Sequence, residues 1–82
     1  MNAMQRIELA LVSLGYACTR SYECVIKAYK VDDVYDRILI RRGSEKYEIV
    51  SDRLFKIHDN SFILENTPTD VIRVLKRICE DE

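Results

Sequence analysis

RILIRRGSEKYEIV, residues 37–50, is the stretch on which the fold turns. Ile38 and Ile40 alternate with Arg37, Leu39 and Arg41, the two-residue period of a strand with one covered and one open side. Gly43-Ser44 reverses the chain, and Tyr47 and Ile49 restart the period. An antiparallel hairpin follows, with Ile38, Ile40, Tyr47 and Ile49 on its covered side.

N-terminal to this hairpin, β-branched and aromatic residues stay frequent back to Tyr16. Residues 16–19 read as a short strand, Arg20-Ser21 as a turn, and residues 23–29, beginning at Glu23, as a second strand. In that strand Cys24, Ile26 and Ala28 oppose Val25, Lys27 and Tyr29. Residues 30–36 read as an acidic connection. C-terminal to the hairpin, Ser51-Asp52-Arg53 interrupts the pattern and Phe55 and Ile57 suggest a further strand. Asp59-Asn60-Ser61 then turns the chain, and Phe62 and Leu64 close the series.

Helical spacing brackets this sheet. Met4, Ile7, Ala10, Leu11 and Leu14 recur at steps of three and four, on a helix over residues 4–14 that Gly15 can end. Leu9 and Val12 make its other side apolar, a first hint of self-association in so short a chain. Met4 offers a second start, so residues 1–3 receive no functional weight. Thr67-Pro68-Thr69-Asp70 signals a second helix, with Thr67 as N-cap, Pro68 at the first helical position and an acid at the third. Val71, Val74, Leu75 and Ile78 form its apolar stripe, with Arg73, Lys76 and Arg77 around the polar side. Glu80, Asp81 and Glu82 place negative charge at the negative end of its dipole, which disfavours the last turn.

The chain has 82 residues, enough for one small domain and one core. Its 48% hydrophobic content, with 33% charged residues and little Gly or Pro, is that of a folded chain and not a disordered one. Thirteen basic against fourteen acidic residues leave a net charge of −1, so whole-molecule charge selects neither nucleic acid nor membrane as partner. No apolar run reaches the roughly 18 residues of a membrane span, and no secretory signal opens the chain. A cytoplasmic location is therefore expected. The odd cysteine count (Cys18, Cys24, Cys79) fits reduced thiols better than a disulfide framework.

The expected fold is α+β: an N-terminal helix, an antiparallel sheet of four or five strands and a C-terminal helix, both helices on one face. Alternation assigns Cys24, Ile26, Ala28, Ile38, Ile40, Tyr47, Ile49, Phe55, Ile57, Phe62 and Leu64 to the covered face. The open face then carries Val25, Lys27, Tyr29, Arg37, Leu39, Arg41, Lys46, Glu48, Val50, Leu54, Lys56, His58 and Ile63. Exposed apolar area rimmed by charge marks a partner surface more often than an idle one.

Other chemistries find less support. Lys27, Arg37, Arg41, Lys46 and Lys56 could meet phosphates while Tyr29 stacks on a base, but Glu23, Glu48 and Glu65 oppose them. The Glu-x-Lys or Asp-x-Lys triplet of a metal-dependent nuclease is missing. Asp32, Asp33 and Asp36 match no calcium loop. Cys18, Cys24, Cys79 and His58 lack the Cys-x-x-Cys pair that nucleates zinc binding. Isolated glycines at Gly15 and Gly43 make no phosphate loop. The sequence thus points to a non-catalytic binding module, without metal or cofactor, that forms a homodimer or docks on another protein through its open sheet face or an apolar helix flank. Its expected contact residues are Lys27, Tyr29, Arg37, Leu39, Arg41, Lys56 and His58. Single-stranded nucleic acid is the alternative partner.

Overall fold

The hairpin at Gly43 forms as its alternation requires. In the computed structural model, which describes residues 1–22 and 24–80 and only the backbone of Ser21 and Tyr22, Asp33–Arg42 (β3) pairs antiparallel with Tyr47–Val50 (β4). The Gly43 amide closes the turn by donating to the Lys46 carbonyl at 2.7 Å. Tyr16–Tyr22 (β1) and Val25–Lys30 (β2) precede this pair, and Phe62–Glu65 (β5) follows it. The five strands form one antiparallel sheet in chain order, β1 to β5. Ala3–Ser13 (α1) and Pro68–Cys79 (α2) flank the sheet in sequence, which makes the fold α+β.

Register fixes the faces. Ile26, Ile40, Ile49 and Ile63 pair in succession across four strands, and Cys18, Ala28 and Ile38 form the next row. Side chains directly opposite share a face, so these rows lie on one side of the sheet. Ile26, Ala28, Ile38, Ile40 and Ile49 join Met4, Ile7 and Leu11 of α1 and Val71, Leu75, Ile78 and Cys79 of α2 in a single buried cluster. Glu8 of α1 also reaches this side, pairing with Arg20 at 3.1 Å.

Both helix starts carry side-chain caps. Thr67 accepts from the Asp70 amide at 3.1 Å, and its hydroxyl donates to the Asp70 carboxylate at 2.9 Å. Thr67→Ala is expected to cost about 1 kcal/mol in a urea titration, the usual loss of one N-cap. Asn2 caps α1 through a reciprocal pair with Gln5, both bonds 2.9 Å. Asn2, which received no functional weight because of the second start at Met4, therefore has a structural part as this cap. Gly15, at φ +94°, leads from α1 into β1, a backbone region that a Cβ strains.

Several boundaries differ from the pattern reading. β1 runs on through Arg20-Ser21, where a turn was expected, and absorbs the extra length in a bulge between Arg20 and Tyr22. Glu23, the expected start of the second strand, lies outside the described residues, as do Asp81 and Glu82. The acidic connection shrinks to Val31 and Asp32, because β3 already begins at Asp33. The largest change is at residues 52–56: Asp52–Lys56 is a 3₁₀ helix and not a strand. Ser51 caps it by accepting from the Arg53 amide at 3.1 Å, and Leu54 turns into the core while Phe55 is left exposed. Two-residue parity cannot be carried through a helical turn. Phe62 and Leu64 accordingly point away from the core, and Ile63 points toward it, the reverse of the expected faces.

Candidate functional site

Opposite the core, register builds three cross-strand rows. The central row is Thr19, Lys27, Leu39, Val50 and Phe62, taken across all five strands. One neighbouring row holds Ala17, Tyr29 and Arg37, and the other holds Val25, Arg41, Glu48 and Leu64. Phe62 and Leu64 remain 41% and 50% exposed, so this face offers apolar area to a ligand. Lys27, Tyr29, Arg37, Leu39, Val50 and Asp52 help line an open cavity of about 850 Å³ on it.

Five of the seven expected contact residues meet here. Lys27, Tyr29, Arg37 and Leu39 line the cavity itself. Arg41 stands one row away, 3.5 Å from Glu48. Lys56 and His58 do not join them. Lys56 belongs to the 3₁₀ helix and directs its ammonium to the Ile78 carbonyl at 3.4 Å, while His58 sits in the turn beyond, 3.8 Å from Asp59. Alternation missed Phe62, Leu64 and Asp52 as members of the site. The Ser51 cap was the readable signal, since a short acceptor side chain before Asp52 favours a helical turn over a strand.

One end of the cavity is held by a polar cluster. The Asp36 carboxylate accepts from Arg53 Nε at 3.0 and 2.9 Å, from Arg53 Nη2 at 2.6 Å and from the Tyr16 hydroxyl at 2.9 Å. Arg53 Nη1 donates onward to the Ile78 carbonyl at 3.2 Å. These bonds tie β1, β3, the 3₁₀ helix and α2 together, and so fix the wall that carries Asp52. Lys30 places its ammonium 5.3 Å from the centre of the Tyr16 ring.

The electrostatics of this cluster favour holding over reacting. Hydrogen bonds from Arg53 keep the Asp36 carboxyl below the usual carboxylate range. Burial, then the bond to Asp36, raises the Tyr16 phenol far above its ordinary value, so it stays a protonated donor. Burial also raises the Cys79 thiol, and it pushes Cys18 up to about 11, with Glu8 adding to the shift. Such thiols are poor nucleophiles at neutral pH. Among the described residues, no three His, Cys, Asp or Glu side chains gather to hold a metal, and no helix is long and apolar enough to cross a membrane. Comparison with protein-family models, curated proteins and solved structures finds no match to this chain.

Proposed function

We propose that the chain is a small non-catalytic binding module, whose working surface is the sheet face bearing Leu39 and which docks on a protein surface. In this reading both helices lie on the core side and leave that face free. The observation that carries it is the apolar strip Leu39, Val50, Phe62 and Leu64 on the side opposite the core, flanked by Lys27, Arg37, Arg41 and Glu48. An apolar centre inside a charged rim is the anatomy of a protein interface. Nucleic acid is less well served. The cations stand beside Glu48 and Asp52, and Arg41 is already paired to Glu48 at 3.5 Å.

A photo-cross-linking amino acid at Val50 tests this in extract of the source cells. Protein adducts are expected from Val50, suppressed by a second change, Leu39→Glu, and none from the same probe at Arg73 on α2. Adducts with nucleic acid, or no Val50 adduct at all, would overturn the reading.

A further inference from the structure

The charges on the open face are sorted by strand. On β3, Arg37 and Arg41 stand two residues either side of Leu39, and all three face out. On β4, Val50 pairs with Leu39 and Glu48 pairs with Arg41. Asp52, two residues past Val50, lines the same cavity as Arg37. The register thus sets Leu39 and Arg41 of one column beside Val50 and Glu48 of the next, and Asp52, in the 3₁₀ helix past the end of the ladder, lies at the Arg37 end of the cavity. Cations flank the apolar residue of one column, and anions flank that of the other. The Arg37 Nε donates to the backbone carbonyl of Val34 at 3.0 Å, which aims the guanidinium without neutralising it.

This arrangement complements itself. A two-fold axis parallel to the strands and midway between β3 and β4 exchanges the two columns and keeps every residue at its height. Leu39 then meets Val50 of the second copy, Arg41, which within one chain pairs with Glu48 at 3.5 Å, meets the other copy's Glu48 as well, and the Arg37 end of β3 comes over the turn that carries Asp52, each contact occurring twice as an isologous interface requires. The same rotation exchanges β2 with β5 and sets Val25 against Leu64 and Lys27 against the ring of Phe62, a favourable cation–aromatic pairing. Strands stay aligned, as in face-to-face sheet packing, where the roughly 30° offset is small enough for long Arg and Glu side chains to span.

Charge agrees with this occupant. A net charge of −1 gives two copies almost nothing to repel with. Resting on the reading of this face as a docking surface, we propose that its occupant is a second copy of this chain, packed sheet to sheet about the axis between β3 and β4.

Charge exchange tests the geometry. In sedimentation equilibrium the wild type is expected to dimerise. Arg37→Glu and Asp52→Arg should each weaken the dimer about tenfold or more, because each sets two like-charged contacts across the interface. An equimolar mixture of the two variants should dimerise again, since every crossing contact in the mixed pair joins opposite charges. Thermal melts at a dilution where wild type and variants are all monomeric, unchanged in the single variants, would show that folding is not the cause. A monomeric wild type, a dimer indifferent to both changes, or a mixture that fails to recover would overturn the proposal. If the wild type is monomeric while the Val50 probe still captures a different protein, the docking face stands and self-pairing falls. Absence of both removes both.

Discussion

Ile40→Ala is expected to lower the unfolding free energy by about 3–5 kcal/mol and to shift the urea midpoint downward at unchanged slope. Ile40 lies on β3 between Ile26 and Ile49, is 0% exposed, and belongs to the same buried cluster as Met4, Ile7, Leu11, Val71, Leu75 and Ile78. Removing three carbons there loses their transfer free energy and leaves a cavity that neighbours on both paired strands hinder from closing. A domain of this length is stable by only about 4–12 kcal/mol, so the variant should be partly unfolded at physiological temperature. Leu64→Ala is the matched control: its side chain is 50% exposed on the other face, and its loss should cost less than about 1 kcal/mol. The contrast also tests the corrected faces of β5, because Ile63→Ala should then exceed Phe62→Ala in cost per carbon removed. An Ile40→Ala effect below about 1 kcal/mol would contradict the register that puts this residue at the centre of the core.

What could be read from sequence was what short-range physics decides. Alternation in residues 37–50 sets the faces of β3 and β4, and Thr67-Pro68 sets the start of α2, because each depends on neighbours a few residues apart. The outward positions of Lys27, Tyr29, Arg37, Leu39 and Arg41 were legible for that reason. Between Ser51 and Leu64 the signal fails, since Phe55 and Ile57 alternate like a strand although Ser51 caps a helical turn. Leu54 reaches the core only because a 3₁₀ turn rotates it there, and this inverts the parity assumed for Phe62, Ile63 and Leu64. Asp36 was hidden for a different reason. Its partners Tyr16 and Arg53 lie 20 and 17 residues away, and no local pattern announces a contact that topology creates. The sorting of Arg37 and Arg41 from Asp52 and Glu48 likewise needs the β3–β4 register and not composition, which shows only near-neutrality.

Replacing Asp36 by Ala should cost about 3–5 kcal/mol at pH 7, the range for removing one partner of a largely buried ion pair. The Arg53–Asp36 pair is 15% exposed on each side, so solvent screens it little. The Tyr16 hydroxyl, in a residue only 2% exposed, would also lose its acceptor. Adding Tyr16→Phe should therefore recover part of the loss, and a double-mutant cycle measures that share. The milder Asp36→Asn keeps the shape and an acceptor for Tyr16 while removing the charge, and its effect must depend on pH. The folded carboxyl titrates below its unfolded value, so its contribution is complete above the unfolded value near 3.9 and disappears as pH falls through the folded one. In urea titrations the gap between wild type and Asp36→Asn should be widest at neutral pH and close progressively below about pH 4. Taking this difference removes the titration of carboxylates common to both proteins, so the closing gap reports Asp36 itself. A gap of constant size down to pH 2 would mean that charge is not what Asp36 supplies. The same tie fixes the turn carrying Asp52, and so Asp36→Asn should also weaken self-association at neutral pH, under conditions where the protein remains folded.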